Sequence, residues 1–209
     1  MRKSVFLAVV LFLATGIGAF AEIELGIGIA PPIGEVPEDA ASDGLFGDAT
    51  TVLHAGYSFW WLFYASYDAF VLPPYAVSQM TGTIDPANGG LQPGYYRPGY
   101  LNTFNFGIRP RLGPLMLTAS IGANSLYIYK GEEDGLEPPP LGVNLRFGAG
   151  WKISKHFGLM ATGTTVFGSM DELSNTLDAL NSDNPDVSAA AEDRILANLF
   201  PSIVFSLYF

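Results

Sequence analysis

Six side chains of the sequence carry a charge or a titratable ring while standing among apolar neighbours: Glu24, His54, Asp68, Arg109, Arg146 and Lys152. Such a set is open to more than one chemistry. Two carboxylates and three cations could line a path for solutes, or they could pair with one another and fill a space. A histidine with an acid and a hydroxyl nearby, here Asp48 and Ser58 around His54, could serve acyl transfer. Nothing in the sequence sets a nucleophile beside His54, and a hydrogen-bonded interior histidine is the simpler reading. His156, next to Lys155 in a short polar link, reads as a solvated surface residue. The acidic stretches EVPEDAASDGLFGD and KGEEDGLEP lack the spaced acids of a calcium loop, so they read as solvated charge, and neither a metal nor a cofactor is expected. There is no cysteine, which removes disulfides, thiolate metal sites and thiol nucleophiles together.

What positions the six is alternation. In LGVNLRFGAGWKI, residues 141–153, Leu141, Val143, Leu145, Phe147, Ala149, Trp151 and Ile153 fall on one face. Gly142, Asn144, Arg146, Gly148, Gly150 and Lys152 fall on the other. Successive side chains of a strand point to opposite faces, so this is a strand with one apolar and one polar, glycine-rich side. EIELGIGI, residues 22–29, repeats the pattern with Glu22 and Glu24 on the polar side. The same test predicts eight strands, at about 22–31, 49–60, 62–72, 100–110, 114–128, 140–153, 157–168 and 197–209. Most are close to the roughly 9–11 residues with which a tilted strand crosses a bilayer.

The connections alternate too. Segments 32–48, 73–99, 129–139 and 169–196 are long and polar, whereas the links near 60–62, 110–114 and 153–157 are short. Eight strands, short turns at one end and long loops at the other predict an all-β fold: an eight-stranded antiparallel up-and-down transmembrane β-barrel. In this reading Glu24, His54, Asp68, Arg109, Arg146 and Lys152 all take the inward parity, as a lipid-facing Arg or Lys would cost about 2–4 kcal/mol at mid-bilayer. Trp60, Trp61 and Trp151, with Phe63, Phe157 and Tyr208, gather at the short-turn end, where aromatic rings favour the interface. SFWWLFYASYDAF offers no turn residue between the second and third strands, and Pro201 predicts a bulge in the last one. In the fourth long loop, SMDELSNTLDAL predicts a short helix: Ser169 and Glu172 form a capping box, and Leu173, Leu177 and Leu180 share a face.

Composition agrees with export. Residues 1–21 combine Arg2 and Lys3, an apolar run from Val5 to about Ala14 and the small-residue site Ala19-Phe20-Ala21, which predicts a signal peptide ahead of a barrel domain at 22–209. The 20 acids outnumber the 10 basic residues, so the chain lacks the basic footprint of a nucleic-acid binder. Seventeen of the acids lie in the four long loops. The chain finishes with Phe205, Leu207 and Phe209 on one face of an alternating strand.

That terminal pattern resembles the signal by which outer-membrane β-barrels are recognised for assembly. With the leader and the eight strands, the chain resembles the small eight-stranded outer-membrane barrels of the protein W and protein X type. The resemblance is architectural: no family motif selects between the two, and neither set of functional residues carries over position by position. It implies an outer-membrane location, with loops outside and both termini periplasmic. Its partners would be membrane lipid, the assembly machinery and whatever the loops bind. The first expectation is a non-enzymatic, narrow conduit for small, hydrophobic solutes. The alternative is a surface adhesin or structural anchor with acidic loops. For the lumen charges themselves, a salt-bridged plug is favoured over an open lining, because eight strands leave an interior about filled by side chains.

The terminal strand and the leader serve separate steps, so replacing Phe209 with a charged residue should lower insertion into the outer membrane while leaving export across the inner membrane intact. Fractionation of the variant checks this, and a normal outer-membrane yield would contradict it.

Overall fold

A computed structural model describes residues 21–31, 49–59, 62–73, 99–128 and 141–209 of the chain. Residues 1–20 of the expected signal peptide, residues 32–48, 74–98 and 129–139 of the first three expected loops, and Trp60 and Trp61 lie outside the described residues. Within them the order is β1 (Glu22–Ala30), β2 (Thr50–Phe59), β3 (Phe63–Leu72), β4 (Gly99–Ile108), β5 (Arg111–Leu112), β6 (Leu115–Ile128), β7 (Gly142–Lys152) and β8 (Phe157–Phe167). Two helices, α1 (Met170–Leu180) and α2 (Pro185–Ala197), precede β9 (Leu199–Tyr208).

Each neighbouring pair is antiparallel, and β9 returns to pair with β1 from Glu24↔Tyr208 to Ile29↔Ile203. The short β5 continues β4 past Arg109 and Pro110, so the nine assigned strands make eight walls of a closed barrel. Following the register from Glu24 through Gly56, Ser66, Asn105, Gly122, Asn144 and Val166 brings the path back to the first wall displaced by about ten residues. With a rise of about 3.3 Å per residue and a spacing of about 4.8 Å, that stagger tilts the strands by about 40°.

The fold class read from the sequence is the one found, and the strand ends agree closely. The second and third strands pair as far as Phe59↔Phe63. The β5–β6 turn is made by Gly113, whose φ of 65° lies in the left-handed region that a side chain disfavours, followed by Pro114. Pro201 makes no bulge. It pairs with Gly163 in an unbroken register, and the pairing of β9 with β1 stops at Ile203, so the proline stands where its missing N–H breaks no β1 ladder.

The faces are inverted relative to a soluble barrel. Ile27, Phe147 and Ile203 are 58%, 53% and 52% exposed on the outer wall, and Ile121, Phe205, Leu207 and Phe209 also turn outward. Asn144, Arg146 and Ser206 are buried inside. An apolar band around a filled polar core suits hydrocarbon and not water. Trp151 and Phe157 belong to that band at the short-turn end. Tyr208 does not: it points into the lumen, where its hydroxyl donates to Glu24 at 3.3 Å.

The helix over 170–180 forms as expected. Ser169 caps the Glu172 amide at 3.1 Å, and the Glu172 carboxylate accepts the Gly168 amide at 2.7 Å. The buried face is Leu173 with Thr176, however, and Leu177 is exposed, so the three leucines are not one packed stripe. A second helix, α2, was not anticipated, although Asn184 as its cap and Pro185 in its first turn are the usual start signals.

Cysteines placed at Leu145, Phe147 and Phe205 should be labelled by a reagent dissolved in the lipid phase, and cysteines at Asn144 and Ser206 should be protected. Reversal of the two groups would invert the wall.

Candidate functional site

The lumen holds the described charges of the strands. Glu24 comes from β1, His54 from β2, and Tyr64, Ser66 and Asp68 from β3. Asn105 comes from β4, Arg109 from the residue after it and Arg146 from β7. The register His54↔Asp68 sets two of these directly opposite each other. The long side chains of β2 to β4 then reach across toward β6 to β9, which supply mainly Gly, Ser and Thr to the interior, such as Gly122, Gly148, Ser120, Thr162, Thr164 and Ser202.

The centre is two ion pairs joined by a histidine. Arg109 Nη1 donates to Glu24 Oε2, and Arg146 Nη1 donates to Asp68 Oδ2 at 2.7 Å and to Ser66 Oγ at 2.8 Å. His54 bridges them, with Nδ1 2.6 Å from Asp68 Oδ1 and Nε2 3.5 Å from Glu24 Oε2. A carboxylate only accepts, so in the neutral ring Nδ1–H donates to Asp68, and Nε2 accepts from the Tyr64 hydroxyl at 2.9 Å. Arg109 also stands over Tyr64, its Cζ 3.4 Å from the ring centroid, and donates from Nε to Thr118 Oγ1 at 3.2 Å. Asn105 Nδ2 donates to Asp68 at 3.3 Å, and Asn144 Nδ2 donates to Asn105. Arg109 and Arg146 are 1% and 2% exposed, which makes these pairs as buried as a hydrophobic core.

Lys152 does not join that centre. It lies near the short-turn rim, where it and Arg111 share Glu22, and its Nζ stands 4.7 Å from the Tyr208 ring. The expected lumen set thus separates into a central network of Glu24, His54, Asp68, Arg109 and Arg146 and a rim group around Glu22. Ser58, buried elsewhere in the lumen, is not bonded to His54, and Asp48 lies outside the described residues, so the acyl-transfer grouping does not assemble.

The polar, glycine-rich inner face read from residues 141–153 does not extend around the whole lumen. Near the loop end it is apolar: Val52, Phe70, Leu72, Leu101, Val166 and Phe200 all point inward and are buried, with the Phe70 and Phe200 rings 5.6 Å apart. Tyr64, Tyr208, Asn105 and Arg111 were missed as members of the network. Parity was the available signal for all four, since each shares the inward phase of a charged residue on its own or a paired strand. Among the described residues, Arg146 Nε, Asn144 Oδ1 and the hydroxyls of Ser120, Thr164 and Ser206 find no protein partner. Ser120 and Thr164 face Arg146 from the paired strands.

Fold and lumen together define a closed eight-stranded β-barrel of the transmembrane class. No family model matches the chain, and no curated protein is similar to it in sequence. Among solved structures, the chain is similar to the Yersinia pestis outer membrane protein Ail in a phospholipid bilayer nanodisc, at 13% identity over 90% of this chain and 98% of that one, with a TM-score of 0.47. It is also similar to the Neisserial surface protein A, NspA, at 11% identity over 90% of this chain and 93% of that one, with a TM-score of 0.37. Neither likeness carries a residue role across.

Removing one member of a buried pair strands the other. Arg146→Ala leaves the Asp68 carboxylate without its guanidinium and should cost about 3–5 kcal/mol. Replacing both, Asp68→Leu with Arg146→Met, removes the orphan and should cost clearly less. Denaturant unfolding of the refolded variants in vesicles compares them, and a double variant as unstable as Arg146→Ala would show that the stranded charge is not the cause.

Proposed function

We propose that this chain is an outer-membrane barrel with a sealed lumen, acting as an anchor that displays its long segments for interaction at the cell surface. The observation that carries the reading is that Glu24, Asp68, Arg109 and Arg146 spend their charges on one another, fully buried, across the middle of the barrel. An eight-stranded interior is about as wide as the side chains that fill it, so a network of this kind occupies the cross-section. The outer wall supports the membrane setting, because a belt of Ile, Leu and Phe at this exposure suits lipid. Short turns face the periplasm in such barrels, which supports an extracellular position for the segment between β8 and β9.

That segment is built for display. Arg194 donates to Glu172 at 2.6 Å and the Ser188 hydroxyl to the Leu180 carbonyl at 3.3 Å, tying α1 to α2. The hairpin bears Asp171, Asp178, Asp183, Asp186, Glu192 and Asp193 around these ties. His54 acts as the link between two ion pairs in this reading and not as a catalyst, since its side chain has no access to a substrate.

A second reading, the conduit for small apolar solutes, has one observation in its favour. The loop-side half of the lumen is lined by Val52, Phe70, Leu72, Leu101, Val166 and Phe200, a lining that an apolar solute would wet better than an ion.

Planar-bilayer recording of the refolded full chain separates the two. The sealed anchor passes no steady current, and Arg146→Ala, with its stranded carboxylate drawing in water, should acquire one. Deleting residues 171–193 should abolish binding of a host or partner surface and leave solute uptake unchanged. A conducting wild type, or a deletion that alters uptake and spares binding, would favour the conduit.

A further inference from the structure

The outer wall is not uniformly aliphatic. Around β1, β8 and β9 it presents Ile23, Leu25, Ile27, Leu159, Ile203 and Phe205. Across β3, β4 and β6, near the loop end, the outward parity falls on polar groups instead. Asn102, half-buried, has the outward parity of Tyr100 and Phe104, and Ser125, which is buried, stands opposite it in the β4–β6 register. Asn102 is held by one bond: the Tyr67 hydroxyl, also on the outer face, donates to Asn102 Oδ1 at 2.6 Å. That bond satisfies the tyrosine and occupies the amide oxygen. It also orients the amide, leaving both Nδ2 hydrogens without an acceptor among the described residues.

An amide donor on a membrane-facing wall has two stable situations, a protein partner or a lipid acceptor, since hydrocarbon offers none. Asn102 is three residues from the loop-side end of β4, which at the strand tilt places it about 8 Å below that end. One row closer to the loops, Tyr100 is paired with Tyr127, both on the outer face. One row farther from them, the wall becomes apolar at Phe104 and Ala123. The order along the wall is therefore phenol, amide, hydrocarbon, which is the order of headgroup, acyl carbonyl and chain in a lipid leaflet.

Directly below lies a groove of about 470 Å³, open to the outside. Its floor is low because Ala55 and Ala65 have no side chain beyond Cβ, and Tyr57, Tyr67, Phe104 and Phe106 stand up around it. The Tyr67 and Phe104 rings, 4.9 Å apart, form its edge toward Asn102.

We infer that this face is a lipid site: an acyl-ester or acyl-amide carbonyl of a membrane lipid accepts a hydrogen bond from Asn102 Nδ2, and the attached chain lies in the groove floored by Ala55 and Ala65. Tyr67 positions the amide by holding its oxygen. The chemistry selects for a carbonyl next to the chain and is indifferent to the charge of the headgroup.

Ester-linked diacyl phosphatidylcholine and its ether-linked dialkyl analogue differ in that carbonyl alone. The full chain is refolded into vesicles of each, and lipid retained after detergent extraction is counted by native mass spectrometry. The wild type should retain the ester lipid about fivefold better than the ether lipid, the ratio given by one ordinary hydrogen bond. Asn102→Leu should abolish the preference, and Tyr67→Phe should weaken it by freeing the amide to turn. Ala65→Phe, which fills the groove and leaves Asn102 in place, should lower retention of both lipids. Equal retention of ester and ether lipid by the wild type overturns the proposal, as does an unchanged preference in Asn102→Leu. Efficient disulfide dimers of Asn102→Cys in vesicles would overturn it too, by showing that a second copy covers this face. The inference rests on the wall facing lipid. Insertion of the wild type into both kinds of vesicle tests that separately, so failed insertion and lost preference are distinct results.

Discussion

A backbone crossing hydrocarbon has no water to bond its N–H and C=O groups, and the rest of this structure follows from that constraint. Each strand must be paired on both sides, which for a sheet means closure. Here closure is the pairing of β9 with β1, from Glu24↔Tyr208 to Ile29↔Ile203, extended by the bonds between Ile23 and Phe209. Once eight walls close with a stagger of about ten residues, their tilt is set, and so is a lumen about the width of the side chains within it. The interior is then a packing problem with little spare room.

The chain solves that problem asymmetrically. β2 to β4 and the residue after them contribute His54, Tyr64, Asp68, Phe70, Asn105 and Arg109, whereas the opposite walls set Arg146, Met160, Phe200 and Tyr208 among glycines, serines and threonines. Gly122 shows how close the walls themselves lie, since a Cβ there would collide with the Phe104 carbonyl of the adjoining strand. Charges admitted to such a space must be paired, because an isolated buried charge is costly and a pair is tolerable only with its remaining hydrogen bonds met. Glu24 and Asp68 meet that condition through Arg109, Arg146, Ser66, Asn105 and Tyr208. The buried network explains why a chain with acidic loops carries two fully buried arginines. The closed lumen and the acidic helical hairpin belong to one reading, in which the barrel holds position and the segments beyond it make contact.

Alternation is a local property, and much of the architecture was legible through it. Leu145 and Arg146 are on opposite faces because adjacent residues of any strand are, and the glutamates of EIELGIGI face inward for the same reason. The cap of α1 could be read because Ser169 and Glu172 act within four residues of each other. Where the reading went astray, residues far apart in the chain decided the matter. Tyr208 carries the mark of an interfacial aromatic but lies across the lumen from no lipid at all, bonded to Glu24 at the other end of the sequence. Lys152 and Arg146 share one face of β7, yet the barrel sends the first to the rim and the second to the centre.

What the sequence by itself determined is the number of walls, the face each residue takes and the side from which the long segments leave, since period-2 patterning, turn residues and the avoidance of charge in lipid act residue by residue. The register was left to the tertiary structure, and with it the partners. Which carboxylate meets which guanidinium, that His54 joins two ion pairs, that the loop-side half of the lumen is apolar and that Tyr67 reaches Asn102 on the outer wall all depend on how far each strand slides against the next. A slide of two residues preserves every face and changes every pairing, so no pattern within one strand encodes it.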